Sequence, residues 1–410
     1  MGILLLILAQ SALPSILLLS TQKRSLLRPI WIASSSYLAY LLFLPPPKNS
    51  TGPPRGTMSA GHVVLAMIQA VNVLISSPLN RDDLVRAGIF ETSSHFLVQV
   101  CRTMSKIFFC PRGINTPWQV KSLPTHPRHL IAQAQPGIPR WSFLGRQAAI
   151  LAWQYLALSA LVTVDSQADS LLGSHSAAAA DNWALRTAVV FIVWFIALRL
   201  VIDSGYRALS VVAIALTTSA PEDWPPLFGR MRDAYTLRGF WGKFWHQLLR
   251  RALTAFSSHL TQRIMRLSRP SVLERYINIL VVFTISGAIH LAGDREAGVS
   301  IAESRAMVFF PLFMPLFMIE DGVQHLWRRF CSSSPSSAIC LWQRVLGYLW
   351  VIMCLSAISP QYLIVGRRVF LEPLKATGLF DAISCAGAHI LVGASVLGGL
   401  LLQHVYETEV

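Results

Sequence analysis

The chain has 410 residues, 53% hydrophobic and 13% charged, against roughly 25% charged in an ordinary soluble domain. A net charge of +15 would point to nucleic acid in a soluble protein, but here the Lys and Arg residues fall in connections between apolar runs, so the charge belongs to a membrane pattern and nucleic acid is excluded as a partner. Mean hydropathy is +0.49, and apolar runs of about 15 to 23 residues recur along the chain, so it reads as an all-α, polytopic integral membrane protein rather than a β-barrel of short alternating segments.

About nine spans are predicted, over 2–20, 30–45, 61–77, 147–164, 186–203, 276–292, 305–320, 343–359 and 382–404. The first has no basic residues before it and is followed by Lys23, Arg24 and Arg28, the pattern of an uncleaved span with its C-terminal end in the cytosol. The third is the weakest, because Gln69 and Asn72 interrupt it. A further apolar piece, 206–218, is too short to cross and reads as re-entrant or interfacial. Residues 45–57 are too rich in Pro and Gly for helix and include an acceptor motif for glycosylation at Asn49.

Loop charges set the orientation. Segments 78–146 and 219–275 are rich in Arg and Lys, whereas 165–185 carries Asp165, Asp169 and Asp181 and no basic residue. The first two are therefore expected in the cytosol and the third across the membrane. The alternation weakens near Arg367 and Arg368. The cysteines show no CxxC or Cys/His cluster, so no metal site is expected. The pairs Cys101/Cys110 and Cys331/Cys340 fall in cytosolic loops where a disulfide is not expected. No internal repeat or soluble domain stands out, and residues 1–410 read as a single membrane domain.

Two stretches carry chemistry. The first is FWGKFWHQLL, Phe240 to Leu249. Projected at 100° per residue, Lys243, His246, Gln247 and Arg250 share one arc, and Phe240, Trp241, Phe244 and Trp245 lie opposite. An amphipathic interfacial helix is predicted, either as a membrane anchor or as the polar edge of a site. The second is His290, inside the apolar span INILVVFTISGAIHLAG. An ionisable residue within a span is a functional-site hypothesis by default, and dehydration favours the neutral imidazole, its base form. The small residues Ser286, Gly287 and Ala288 before it leave room for another backbone or a substrate.

The run TLRGFWGKFWHQLLRR (Thr236–Arg251), with PLFG before it and SGAIH after it, resembles the wax synthase-like branch of the membrane-bound O-acyltransferases, densely so over residues 220–295. The family's motifs look like SLR-x-FW-GRR-WHQ and SG-x-x-H. The FW…WH run is also similar to the F-Y-x-D-W-W-N motif of sterol and diacylglycerol acyltransferases, with His246 in the place of its Asn. Thr236 departs from the usual Ser, and Lys243-Phe244 from two Arg, which removes one positive charge.

The resemblance implies transfer of an acyl group, expected to be acetyl, from acyl-CoA to a hydroxyl of a lipophilic acceptor such as a terpenoid or meroterpenoid, with 220–295 as the catalytic core and no bound cofactor. His290 is expected to act as general base and His246 to orient the thioester or stabilise its oxyanion. Trp241, Trp245, Gln247 and Ser286 are expected near the substrates, and Arg238, Lys243, Arg250 and Arg251 near CoA phosphates or lipid headgroups. Location in the endoplasmic reticulum is expected. The alternatives are long-chain transfer to a fatty alcohol or sterol and, in another class, proton-coupled transport.

Overall fold

The computed structural model describes residues 2–43, 57–132, 137–171, 183–331, 341–359 and 388–407, with a few positions between 362 and 378. Asn49, Asp181, Arg367 and Arg368 lie outside them, as does loop 172–182. Among the described residues the chain is helical and contains no strand. Helices α1 (Gly2–Ser20), α2 (Leu27–Phe43) and α3 (Thr57–Val71) are followed by the short α4 (Arg81–Arg86), α5 (Phe96–Thr103) and α6 (Arg128–Ala132). Then come α7 (Arg140–Leu171), α8 (Trp183–Ala215), α9 (Arg250–Ser258), α10 (Val272–Glu296), α11 (Phe313–Cys331), α12 (Leu341–Ile358) and α13 (Ala388–Glu407).

Among the described residues, four stretches are long and apolar enough to cross a bilayer: Arg140–Val164, Val272–Glu296, Ala306–Phe330 and Leu341–Ile358. Shorter apolar helices cover Leu8–Ser20, Val63–Ser76 and Ile390–Leu402. The piece 206–218 is not a separate re-entrant element. Most of it continues α8 without a break to Ala215, because nothing before that point interrupts the helix. On α11 and α12, Met318, Ile319, Val323, Leu349 and Met353 are exposed, an apolar surface of the kind lipid covers.

The chain divides into two compact units. The first comprises residues 1–123, 236–238 and 247–343. Its core joins Leu18 of α1, Val73 and Leu74 after α3, Leu84 of α4 and Ile107. The polar interruption of α3 turns inward. Gln69 and Asn72 are buried, the Gln69 amide donates to the Ile107 carbonyl at 2.8 Å, and Asn72 donates to Gln69 at 3.4 Å. Paired in this way the Gln69 amide can sit in an apolar helix, while Asn72, just beyond α3, keeps a buried Oδ1 without a partner. In the same unit α10 packs on α3 and α9. Ser257 and Thr261 both donate to the Asn278 side chain, which donates to Glu274 at 2.6 Å, a polar staple at the start of α10.

The second unit comprises residues 124–235, 239–246 and 344–410. Here α7 packs against α8 and α13. The Trp153 indole donates to the Ser395 carbonyl at 2.8 Å, and Gly398 and Gly399 make space for its ring. A buried polar seam joins α7 to α8: Gln154 donates to Asp203 at 2.6 Å, and Arg207 bridges Asp203 and Gln147 at 2.7 and 2.6 Å. Cys101, Cys110 and Cys354 are free thiols. The side chains of Cys331, Cys340 and Cys385 lie outside the described set.

Candidate active site

The aromatic–histidine stretch is not one amphipathic helix. A single turn at Leu237–Gly239 passes into a π-helical turn at Phe240–Phe244, closed by the Trp245 N–H on the Phe240 carbonyl at 2.7 Å. Trp245 is extended (φ −66°, ψ 146°), His246 and Gln247 lie in the break, and helix resumes at Arg250. A π-turn widens the spacing to i→i+5, so a projection at 100° per residue loses its register. The predicted shared arc of Lys243, His246, Gln247 and Arg250 therefore does not form.

The aromatics are inside the protein rather than on its rim. In the second unit Phe240, Phe244 and Trp245 are buried, while Trp241 is half-buried. Trp245 is boxed by Phe195 (5.4 Å), Phe228 (5.3 Å), Phe240 (5.7 Å, stacked) and Trp241 (5.8 Å). The His246 ring stands edge-on to Phe228 at 5.9 Å and tilted to Trp245 at 5.5 Å. Arg199 of α8 lies over Phe228 and Phe244 at 5.3 and 5.7 Å, a cation–π contact behind this wall. Aromatic packing thus fixes the imidazole's direction.

Gly229, the last residue of PLFG, explains how the segment is held. Its N–H donates to the Phe244 carbonyl at 2.9 Å. A Cβ on Gly229 would stand 2.2 Å from the Lys243 carbonyl oxygen, so only glycine admits the π-turn's backbone there.

The other end of the turn is held by residues that the sequence reading missed. In the first unit, buried Glu320 of α11 accepts the N–H groups of Leu237 (2.6 Å) and Arg238 (3.2 Å). Its neighbour Asp321 receives the Arg238 guanidinium at 2.9 Å, Arg275 at 2.8 Å and the Tyr276 hydroxyl at 3.0 Å. Arg238 also lies over Phe317 at 5.4 Å. Its guanidinium is engaged with a carboxylate and is half-exposed. The available signal was the Glu-Asp pair ending an apolar run.

The remaining expected contacts are distributed. Lys243 is exposed. Buried Gln247 accepts from the Arg250 guanidinium at 2.9 Å, and burial holds the Arg250 pKa below its usual value. These two residues brace the restart of helix at α9.

His290 lies on α10 in the first unit, partly buried. Its Nδ1 is 2.7 Å from the Ser286 carbonyl one turn earlier. A carbonyl can only accept, so Nδ1 carries a proton, and in the neutral form of the ring Nε2 holds the lone pair. Ser286 thus acts on His290 through its backbone. Phe310 packs against the imidazole with ring centroids 4.3 Å apart, and Phe309, Phe313, Phe283 and Phe317 continue an aromatic column. Of the two uses foreseen for the small-residue run, Gly287 serves another backbone. A Cβ there would meet the Ala306 carbonyl at 3.1 Å. Among the described residues no group of His, Cys, Asp and Glu side chains converges to hold a metal.

Residues 224–312 match the Membrane bound O-acyl transferase family, a window that contains both histidine stretches. The chain is 34% identical to acetyltransferase spyB of Aspergillus fumigatus, covering 98% of this chain and 70% of that protein. It is 33% identical to acetyltransferase atnC of Arthrinium sp, covering 100% of this chain and 97% of that one, and 30% identical to acetyltransferase nanB of Aspergillus nanangensis, covering 93% and 94%. No solved structure matches. With atnC and nanB aligned over nearly their whole lengths and the family window spanning both motifs, the chain belongs to the membrane-bound O-acyl transferase family and is an integral membrane acyltransferase.

Proposed function

We propose that the chain transfers an acetyl group from acetyl-CoA to a hydroxyl of a lipophilic acceptor, a terpenoid or meroterpenoid of secondary metabolism. The relatives, all acetyltransferases by name, support the acetyl donor. The observation that carries the mechanism is His290: its Nδ1–H is fixed on Ser286, its ring is packed on Phe310, and it sits on an apolar helix.

Nε2 of His290 takes the proton of the acceptor hydroxyl as that oxygen attacks the thioester carbon, since an alcohol is a weak nucleophile until its proton is removed. The carbonyl oxygen gains negative charge, the C–S bond breaks, and the CoA thiolate recovers the proton from the imidazolium, giving ester and free thiol. His246 is assigned to the thioester side, as orienter of the donor or donor to the oxyanion. Trp241 and Trp245 shape its surroundings, and Gln247 with Arg250 holds the break in which it lies. Lys243, the exposed cation of the segment, remains available to an anionic group of the donor or a lipid. Residues 220–295 form the catalytic core of one membrane domain of about nine spans in the endoplasmic reticulum.

The test is acetyl transfer in membranes carrying wild type, His290→Ala or His246→Ala, with labelled acetyl-CoA and a panel of terpenoid alcohols. Loss of transfer in His290→Ala, at wild-type protein levels, is expected. Near-normal turnover in that variant would remove His290 as the base. For His246→Ala a fall in kcat on the order of 100-fold is expected. A change in membrane partition alone would return it to an anchoring role.

A further inference from the structure

The first unit carries an open cavity of about 230 Å³ away from both histidine stretches in sequence, lined by Lys23, Leu79, Asp83, Arg86, Pro117 and Trp118 among others. Lys23 comes from the α1–α2 turn, Asp83 and Arg86 from α4, and Trp118 from the connection after α5. These elements hold one another in place. Asn80 caps α4 through a reciprocal pair with Asp83, and Lys23 meets Asp83 at 2.7 Å. Trp118 packs against the core of the unit.

The charges here do not balance. Asp83 is the one carboxylate among the lining residues, and it faces Lys23 and Arg86 together. Neighbouring Asp82 is exposed and takes a hydrogen bond from Asn80 at 3.4 Å. Arg28 is fully buried and donates to the Thr21 hydroxyl at 3.0 Å and the Thr21 carbonyl at 2.9 Å, with its Nη1 left unpartnered; it does not line the cavity. Arg251 of α9 stacks on the Trp118 ring at 5.5 Å, and its buried Nη1 also lacks a partner. Burial holds the Arg251 pKa down to about 10. Two lining cations, Lys23 and Arg86, against the single carboxylate of Asp83, with an indole in the wall that Arg251 stacks on, leave a positive concave surface that fits a ligand combining phosphate with a flat ring. The volume is below the roughly 300–1,000 Å³ of a pocket for a whole small molecule, so the cavity takes one end of a longer ligand.

We propose that this cavity binds the phosphorylated adenosine end of acyl-CoA, with Lys23 and Arg86 on phosphate oxygens and Trp118 stacked on the base. The proposal rests on acyl-CoA being the donor. A lipid headgroup offers the same phosphate without the ring, and the indole stacked by Arg251 favours the nucleotide. Asp83 holds Lys23 and Arg86 at the cavity and is a positioning residue. Arg238 and Arg250, engaged with Asp321 and Gln247, are not needed for the phosphates.

The experiment uses the full chain in neutral phosphatidylcholine vesicles, with and without added phosphatidylserine. It measures equilibrium binding of labelled coenzyme A, competition by adenosine 3′,5′-bisphosphate, and the kcat and KM of acetyl transfer. Lys23→Gln with Arg86→Gln is expected to weaken coenzyme A binding and raise KM by about 10-fold or more, with kcat within about twofold, since both side chains are partly exposed. Trp118→Leu is expected to cost about 10-fold in affinity, the worth of one base–aromatic stack. Adenosine 3′,5′-bisphosphate should compete in the wild type and not in the double Gln variant. Lys23→Arg with Arg86→Lys keeps the charges and should keep most of the affinity, which guards against a folding defect. Wild-type coenzyme A affinity in the double Gln variant would overturn the proposal. So would loss of phosphatidylserine dependence alone, which assigns the cations to a lipid phosphate. If the wild type transfers acetyl from acetyl-CoA while the variants bind normally, only the cavity assignment falls. If the wild type binds no coenzyme A, the donor reading falls with it.

Discussion

Replacing Glu320 tests whether the turn leading to His246 must be anchored for catalysis. The carboxyl group is buried and receives two backbone N–H groups, those of Leu237 at 2.6 Å and Arg238 at 3.2 Å. Leu237 is itself fully buried, so in Glu320→Ala water cannot replace the lost acceptor at its N–H. An orphaned buried donor costs about 1–3 kcal/mol, so the two together are worth roughly 3 kcal/mol once the shallower Arg238 N–H is discounted. That energy corresponds to a shift of about 100-fold in the equilibrium between anchored and released states. If turnover requires the anchored state, kcat in Glu320→Ala falls by tens-fold or more while KM for acetyl-CoA changes little. Glu320→Gln keeps one oxygen acceptor and should fall between. Asp321→Asn breaks partly exposed ion pairs worth about 0–1 kcal/mol each and should lose only a few-fold. Acetyl transfer at matched protein levels, with thermal stability in detergent, reads all three. Equal kcat in wild type, Glu320→Gln and Glu320→Ala would refute the anchoring argument.

Gly229→Ala places a methyl 2.2 Å from the Lys243 carbonyl oxygen, and the expected result is a loss of about 1–3 kcal/mol of stability together with most of the activity; a fully active, equally stable variant would mean that the π-turn is not held there. Acid should loosen the α1–α4 contact. Burial alone would raise the Asp83 pKa, but Lys23, the Asn80 N–H and Arg86 outweigh it and hold the pKa below its usual value. Its stabilising contribution is therefore fully present above about pH 4 and lost as pH falls through the lowered folded value. Asp83→Asn should flatten that part of the stability–pH curve, read by thermal unfolding in detergent between about pH 2 and 5.

The chain's class and both histidine stretches were legible because they rest on local signals: apolar runs long enough for a bilayer, loop charge, and residue types that are costly in a span. The local geometry was not. Whether Phe240–Gln247 continues as one helix is decided by partners far away in sequence. Gly229 takes the Phe244 carbonyl, and Glu320, 83 residues from Leu237, takes the first N–H. A periodicity cannot register such partners. The same holds for α3, where Gln69 and Asn72 looked like flaws in a span until the Ile107 carbonyl supplied an acceptor. In the other direction, the supposed interfacial piece at 206–218 was a boundary drawn by hydropathy across a helix that continues to Ala215.

The break at Trp245 bears on what His246 can do. An interfacial anchor needs an apolar face turned to lipid along a continuous helix. Here Phe240, Phe244 and Trp245 are buried against Phe195 and Phe228, so they have already spent their apolar surface within the protein. What the aromatic box provides instead is direction. With Trp245 wedged among four rings and its backbone extended, the next residue leaves the box along a fixed course, and that residue is His246. Phe228 and Trp245 stand against the imidazole itself, at 5.9 and 5.5 Å. Enlarging or emptying that wall, for instance with Phe228→Ala, should therefore reduce kcat through His246 even though Phe228 performs no proton transfer.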